Sequence, residues 1–223
     1  MIKAVVFDLD DTLYPEQQYV LCGFQAVGDW LADRYELPDF YETAAGLFAA
    51  GTRGDIFDMA LKQSGMNPER DLVQNLVQVY REHRPALKLY EDAEWAIDRF
   101  RASRKLGVIT DGYLAVQKNK VEALGILRYF DVVCYSDQYG RECWKPSPVP
   151  YLQVMEALSC AGEECVYVAD NPGKDFVTAR KLGWMTVQIC RPGGEYAHIV
   201  PGPGCAARYE ISSLYELGAL IPE

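Results

Sequence analysis

Short apolar runs alternate with helical patterns along most of this chain. The runs are rich in β-branched residues and have the length of strands buried on both faces. They lie within Lys3–Leu13 and at Leu106–Thr110, Asp131–Ser136, Cys165–Ala169 and Met185–Ile189. Helical patterns separate the later runs, at Ala93–Ser103, Ala115–Leu124, Pro148–Leu158 and Lys174–Leu182. Strands that alternate with helices predict βαβ units, and therefore an α/β fold with a Rossmann-like parallel sheet.

One segment, residues 16–85, interrupts this alternation because it contains helical patterns and no convincing strand. The patterns lie at Leu21–Tyr35, Tyr41–Ala50, Asp55–Gly65 and Glu69–His83, with glycine and proline in the turns between them. We therefore expect a helical domain inserted after the first strand. The sheet domain would then comprise residues 1–15 and 86–223.

Composition limits the possible partners and the compartment. The 223 residues have a formal net charge of −10 and no Lys/Arg cluster, which argues against nucleic acid and anionic membranes as partners. No apolar run reaches the length of a membrane span, and the first strand leaves no room for a signal peptide. The seven cysteines include no CxxC pair, so reduced thiols and a cytoplasmic location are expected. A zinc site is the alternative use of these cysteines, but neither His83 nor His198 lies at ligand spacing.

Acidic residues follow the first strand directly. Strand alternation places Asp8 and Asp10 on one side, at the carboxyl end of the strand, where open parallel sheets bind ligands. Two carboxylates this close repel each other unless a cation or a shared proton separates them. A hard divalent ion such as Mg²⁺ is the simplest solution, and a capped helix start is the alternative.

The carboxyl ends of other predicted strands also end in polar residues. These are Thr110, Asp111 and Gly112 after the second strand, Lys145 in the loop after the third, and Asp170 and Asp175 after the fourth. Carboxylates, a metal ion, a lysine and a hydroxyl together can neutralise a phosphate group and attack its phosphorus. The sequence therefore predicts a phosphoryl-transfer site.

The segment Asp8-Leu9-Asp10-Asp11-Thr12 resembles the DxDxT motif of the haloacid dehalogenase (HAD) superfamily, most of whose members are phosphatases. Thr110, Lys145 and the pair Asp170/Asp175 resemble its second, third and fourth motifs, in order along the chain. The resemblance covers roughly residues 1–15 and 86–200. It implies that the inserted helices are the small cap of this superfamily.

The resemblance also implies a role for each motif residue. Asp8 would be the nucleophile and a metal ligand, and Asp10 would protonate the leaving alcohol, activate water and bind the metal through its backbone carbonyl. Asp170 would bind Mg²⁺ directly, whereas Asp175 would orient waters or the lysine. A helix-start role is the alternative for Asp175.

Other residues would bind the substrate. Thr110 and Lys145 would hold the phosphoryl oxygens, assisted by backbone N–H groups at Leu9, Asp10 and Asp111, and Gly112 would lie beside them. Asp111-Gly112 departs from the Asn-Gly common in relatives. In the cap, Arg53 lies in a glycine-flanked loop and would contact the leaving group. An ordinary surface arginine is the alternative for this residue.

We therefore predict a magnesium-dependent phosphatase that acts on a small phosphorylated metabolite through an aspartyl-phosphate. A sugar-phosphate mutase of the same superfamily keeps both aspartates and remains an alternative. Haloacid dehalogenation is another, but Asp10 disfavours it because that chemistry uses no acid at the leaving group and no metal. A phospho-accepting receiver module also uses acids, Thr and Lys around magnesium, but it is smaller and lacks a helical insertion. The sequence predicts neither the oligomeric state nor the identity of the metabolite.

Overall fold

The computed structural model describes residues 1–222 and has the alternating order that the sequence predicts. Six strands and nine α-helices are found in the described residues. In chain order they are β1 (Ala4–Phe7), α1 (Glu16–Tyr35), α2 (Phe40–Ala49), α3 (Ile56–Gln63), α4 (Arg70–Glu82), α5 (Glu91–Phe100), β2 (Lys105–Thr110), α6 (Leu114–Leu124), β3 (Val132–Tyr135), α7 (Val149–Leu158), β4 (Cys165–Ala169), α8 (Phe176–Lys181), β5 (Met185–Ile189), β6 (Tyr209–Ile211) and α9 (Leu217–Leu220).

The chain forms two compact units. One contains Met1–Pro15 and the chain from Lys88 onward, and the other contains Glu16–Leu87. The first unit contains all six strands, and the second contains helices α1–α4. The interpretation of the second unit as a cap stays a prediction.

The sheet is parallel throughout and has the strand order β3-β2-β1-β4-β5-β6. Strand β1 lies in its interior, where Phe7 pairs with Val108 of β2 and Val168 of β4. All four residues of β1 are fully buried, as expected for a strand covered on both faces. The carboxyl ends of β2, β1 and β4 therefore lie side by side, and the α/β fold class is confirmed.

Each unit has its own hydrophobic core. In the sheet unit, Tyr151 and Tyr167 are fully buried and pack edge to face, with ring centroids 5.4 Å apart. In the helical unit, Phe24, Phe40 and Leu76 belong to one buried cluster contributed by several of its helices. None of the helices within residues 1–222 is long and apolar enough to cross a membrane.

The observed elements differ locally from the predicted ones. Strand β6 was not predicted, because its three residues are too few to show an alternating pattern. Helix α8 begins at Phe176, later than the predicted Lys174, because residues 171–175 form a turn in which the Asp175 N–H donates to the Asn171 carbonyl. Asp175 therefore lies just before the helix.

Candidate active site

The Asp8 carboxylate lies at the carboxyl end of β1 and contacts a buried lysine. Its backbone N–H donates to the Val168 carbonyl at 2.9 Å, which extends the pairing with β4 by one residue. The Asp8 side chain is 7% exposed and accepts a hydrogen bond from Lys145 Nζ. The Lys145 side chain is fully buried, so this charge pair is shielded from water.

Lys145 contacts two further oxygens. Its Nζ atom donates to the Tyr167 hydroxyl at 3.0 Å and forms an ion pair with Asp175 Oδ1 at 2.8 Å. Burial opposes the charged form of Lys145, but Asp175 and Asp8 raise its pKa well above the ordinary value. Lys145 is therefore a fixed internal cation. The second Asp175 oxygen accepts from the Asn171 N–H at 3.1 Å, which holds the turn after β4.

Burial and mutual repulsion raise the pKa values of Asp8 and Asp170. Burial raises the pKa of Asp8 to about 6, although Lys145 partly offsets the effect. For Asp170, burial and the charges of Asp8 and Asp175 raise the pKa to about 9. No hydrogen bond or ion pair engages the Asp170 carboxylate within residues 1–222. This buried acid therefore has no cation in direct contact among these residues, although the charge of Lys145 acts on it from a distance.

The Asp10 carboxylate faces a different set of groups. Its Oδ1 atom accepts from Lys120 Nζ at 2.7 Å and from the Tyr14 hydroxyl at 2.5 Å, and its Oδ2 atom accepts from Gln117 Nε2 at 3.1 Å. Burial favours the neutral acid, but Lys120, Tyr14 and Gln117 together lower the pKa of Asp10. The carboxylate is therefore held in its ionised form.

Gly112 allows this arrangement. It has a φ of 128°, which lies in the region that favours glycine, and a side chain there would collide with the Gln117 amide. The Gln117 amide also donates to the Asp111 carbonyl, so it connects the turn after β2 with Asp10. Gly112 thus shapes the site through its backbone.

The end of β2 contributes a hydroxyl and a carboxylate. The Thr110 side chain is buried, and its Oγ1 atom has no hydrogen-bond partner in the described part of the chain. Asp111 Oδ1 accepts from Ser136 Oγ at 2.6 Å and from the Lys145 N–H at 3.2 Å. A buried hydroxyl without a partner is costly, so it indicates a binding position for a polar ligand.

A second lysine reaches Asp111 from the turn after β4. Lys174 Nζ lies 3.3 Å from Asp111 Oδ2, and 34% of the Lys174 side chain is exposed. Burial opposes ionisation of Asp111, but Lys145 and Lys174 outweigh it and lower the pKa of this carboxyl. Asp111 is therefore an anion at neutral pH.

The donor set fits a magnesium ion. Within residues 1–222, no cluster of three or more His, Cys, Asp or Glu side chains is arranged to hold a metal by itself. Mg²⁺ commonly binds one or two carboxylates and keeps several waters, and Asp8 and Asp170 are two carboxylates close enough to repel each other. A divalent cation would supply the positive charge that Asp170 lacks. The side chains of Asp10 and Asp175 instead contact lysines.

Arg53, the predicted substrate contact in the helical unit, has local contacts. Its guanidinium donates to the Phe48 and Thr52 carbonyls at 3.0 and 2.9 Å and lies 4.1 Å from the centroid of the Phe48 ring. These contacts hold the side chain against its own loop. Its role toward a substrate stays a prediction.

Several polar residues of the site are absent from the predicted set. They are Ser136, Gln117, Lys120, Tyr167 and Lys174. A signal for two of them exists in the sequence, because Gln117 and Lys120 are three residues apart and share one face of a helix that follows Asp111-Gly112. Nothing comparable indicates that Tyr167, within an apolar strand, has its hydroxyl beside Lys145.

A family model described as haloacid dehalogenase-like hydrolase matches residues 5–189. A glyceraldehyde 3-phosphate phosphatase from Methanopyrus kandleri is 32% identical over 90% of this chain and 88% of its own length. A protein of the same name from Methanocaldococcus jannaschii is 30% identical over 97% of this chain and 96% of its own length.

Solved structures of HAD proteins have a similar fold. The crystal structure of a HAD phosphatase from Thermococcus onnurineus superposes with a TM-score of 0.64 and 26% identity, over 99% of this chain and 98% of that one. The magnesium-bound HAD hydrolase YfnB from Bacillus subtilis gives a TM-score of 0.70 at 19% identity, over 100% and 99% of the two chains, and shows the fold alone.

The parallel sheet and the acids at its carboxyl edge define a protein of the α/β class with a site at the end of the sheet where such folds bind ligands. The chain belongs to the haloacid dehalogenase-like hydrolases. The predicted resemblance is thereby confirmed, and so is the predicted enzyme class, a phosphatase of this family. This membership gives no support to the receiver-module alternative. The individual roles of the site residues stay predictions.

Proposed function

We propose that this protein is a magnesium-dependent phosphatase that hydrolyses a small phosphorylated metabolite through an aspartyl-phosphate at Asp8. The observation that supports this most directly is the buried pair of Asp8 and Lys145 beside the unpartnered Thr110 hydroxyl. A nucleophile, a fixed cation and a hydroxyl that is free to donate are groups that can attack a phosphoryl group and hold its oxygens.

In the first step an Asp8 oxygen attacks phosphorus while the bond from phosphorus to the alcohol oxygen breaks. Asp10 gives its proton to that alcohol. In the second step water attacks phosphorus, Asp10 takes a proton from the water, and the bond to Asp8 breaks to release phosphate. The ionised form in which Asp10 is held suits the second step, whereas the first requires Asp10 to gain a proton.

The remaining residues bind and orient the substrate. Thr110 Oγ1 would donate to a phosphoryl oxygen, assisted by N–H groups at Leu9 and Asp111. Asp8, Asp170 and the Asp10 carbonyl would hold Mg²⁺, which neutralises charge on the nucleophile and on the phosphoryl group. Asp175 would act through Lys145, which it contacts at 2.8 Å.

The substrate class follows from the named relatives. Those relatives include phosphatases of glyceraldehyde 3-phosphate and phosphoserine, and we infer a substrate of similar size.

All seven cysteines are free thiols, which supports a reducing compartment such as the cytoplasm.

A phosphate-release screen tests this proposal. Purified protein with magnesium would be given triose, pentose and hexose phosphates, phosphoserine, phosphoglycolate and nucleotides. We expect continuous release from at least one small phosphomonoester, loss of activity with chelator and inhibition by calcium, whose looser coordination shell disturbs alignment. Full activity in chelator would refute the metal requirement. Slow hydrolysis with a trapped bisphosphate would instead indicate the mutase.

A further inference from the structure

The turn after β4 presents Lys174 to the middle of the site. The backbone of this turn is held by the Asp175 N–H and by the Gly173 N–H, which donate to the carbonyl and the side chain of Asn171. The Lys174 side chain remains one-third exposed. The backbone is therefore fixed, while the ammonium group can change partners.

The strand order determines what this side chain crosses. Lys174 follows β4, whereas its partner Asp111 follows β2, and β1 lies between these two strands. The Lys174 side chain therefore spans the carboxyl end of β1, where the Asp8 carboxylate lies. The charge of Lys174 acts on Asp8 accordingly and opposes the rise in its pKa.

Lys145 and Lys174 differ in the number of donors they have free. An ammonium group has three donors. Lys145 Nζ has three oxygen neighbours in the protein, from Asp8, Tyr167 and Asp175. Lys174 Nζ has one partner within residues 1–222, Asp111, at the long distance of 3.3 Å. Lys174 thus has donors to spare, whereas Lys145 would have to give up a contact.

We propose that Lys174 is a further substrate-binding residue, whose ammonium group contacts the phosphoryl oxygens while Lys145 holds Asp8 in place. This inference rests on the proposed phosphatase function and adds a residue to it. The ion pair with Asp111 keeps Lys174 over the nucleophile before the substrate arrives. An incoming phosphoryl group offers it shorter, charge-assisted hydrogen bonds.

The alternative is that Lys174 only neutralises Asp111. A double-mutant cycle separates the two, because a neutralising role disappears when the carboxylate is removed. The variants are Lys174→Met, Lys174→Arg, Asp111→Asn and the double variant Asp111→Asn/Lys174→Met. Lys181→Met is the matched control, since this lysine is exposed at the end of helix α8, which follows the turn that contains Lys174. Urea unfolding verifies that each variant folds.

The primary measurement is calorimetric binding of inorganic phosphate with magnesium present, followed by kcat/KM for an aryl phosphate. We expect Lys174→Met to weaken both by roughly ten- to a hundredfold, since one charge-assisted contact is lost. Lys174→Arg should recover part of the loss, and Lys181→Met should match the wild type. The loss caused by Lys174→Met should persist in the Asp111→Asn background.

Two results would overturn the inference: phosphate binding by Lys174→Met that equals the wild type, or a loss that vanishes in the Asp111→Asn background. A wild-type protein that binds phosphate but turns over no phosphomonoester would refute the proposed function, while the Lys174 comparison would still be decided. A wild-type protein that does not bind phosphate would refute both.

Discussion

At the scale of single residues, three different lysines contact three of the acids of the site. Lys145 contacts Asp8, Lys120 contacts Asp10, and Lys174 lies nearest to Asp111. Burial alone would raise all three pKa values, yet the pKa is raised only for Asp8 and is lowered for Asp10 and Asp111. The local partners therefore distinguish carboxylates that look alike in the sequence.

Replacing Asp10 tests its acid role. Asp10→Asn should reduce phosphate release from an alkyl phosphate by ~10²–10⁴-fold, because acid and base assistance is removed. An aryl phosphate needs less help at its leaving oxygen, so its loss should be smaller. Steady-state kinetics on both substrates provide the measurement, and equal losses would contradict the acid role.

The raised pKa of Asp170 predicts that magnesium binding releases a proton. Its pKa of about 9 means that the metal-free protein keeps this carboxyl protonated at neutral pH. Because the folded-state pKa is raised, the stabilisation it gives is complete below the unfolded value of about 4 and is lost as the pH rises toward 9. Mg²⁺ needs the ionised form, so binding should release about one proton per ion at neutral pH.

Calorimetry of magnesium binding in buffers of different ionisation heat measures this proton. Asp170→Asn should bind magnesium more weakly and release less, whereas Asp98→Asn, at an exposed position of α5, should behave as the wild type. Magnesium binding without proton release would contradict the shifted pKa.

The sequence identifies the residues of the site better than it identifies their partners. Asp8, Lys145 and Asp175 lie together, and the sequence predicts each of them from its place after an apolar run or in the loop beyond one. The Tyr167 and Ser136 contacts depend on which residues of distant strands face each other. That information arises from strand register, which a single sequence does not contain.

At the scale of elements, helix α6 is the support for Asp10. Gln117 and Lys120 are both buried on its inner face, and both contact the Asp10 carboxylate. A buried lysine is rare unless it is paired. The helix therefore contributes polar groups to the site as well as covering the sheet.

Lys120→Met should lower the free energy of unfolding by roughly 2–4 kcal/mol. This range is somewhat below that for a fully buried pair, because 20% of the Asp10 side chain is exposed. Lys118→Met, at an exposed position of the same helix, is the control and should change stability little. Urea unfolding would decide, and equal midpoints for the two variants would show that the pair contributes nothing.

The elements themselves follow from sequence patterns where those patterns are long. Strands β1, β2 and β4 are recognisable because each is a buried run followed by polar residues. Strand β6 has three residues and α9 has four, so neither shows a period. Their placement depends on tertiary packing.

At the scale of the whole molecule, the site residues discussed above all belong to the sheet unit, apart from Arg53. We therefore expect the sheet unit to supply the phosphate contacts and the helical unit to select the remainder of the substrate. Arg53→Ala should lower kcat/KM for the natural substrate roughly ten- to a hundredfold and spare an aryl phosphate.

The comparison needs both substrates and a stability measurement. Arg53 also contacts the Phe48 and Thr52 carbonyls, so an equal loss on both substrates would assign it a structural role in its own loop. No loss on either substrate would make it an ordinary surface arginine.

The central claim is that Asp8 becomes phosphorylated during turnover. The most direct test mixes excess wild-type protein with a hydrolysable phosphomonoester and magnesium, stops the reaction with acid within one turnover and maps the peptides by mass spectrometry. We predict a phosphoryl group on the peptide that contains Asp8, and none in Asp8→Asn, which should also lose phosphate release. Steady turnover by Asp8→Asn, or a phosphoryl group on another residue in the wild type, would contradict the account.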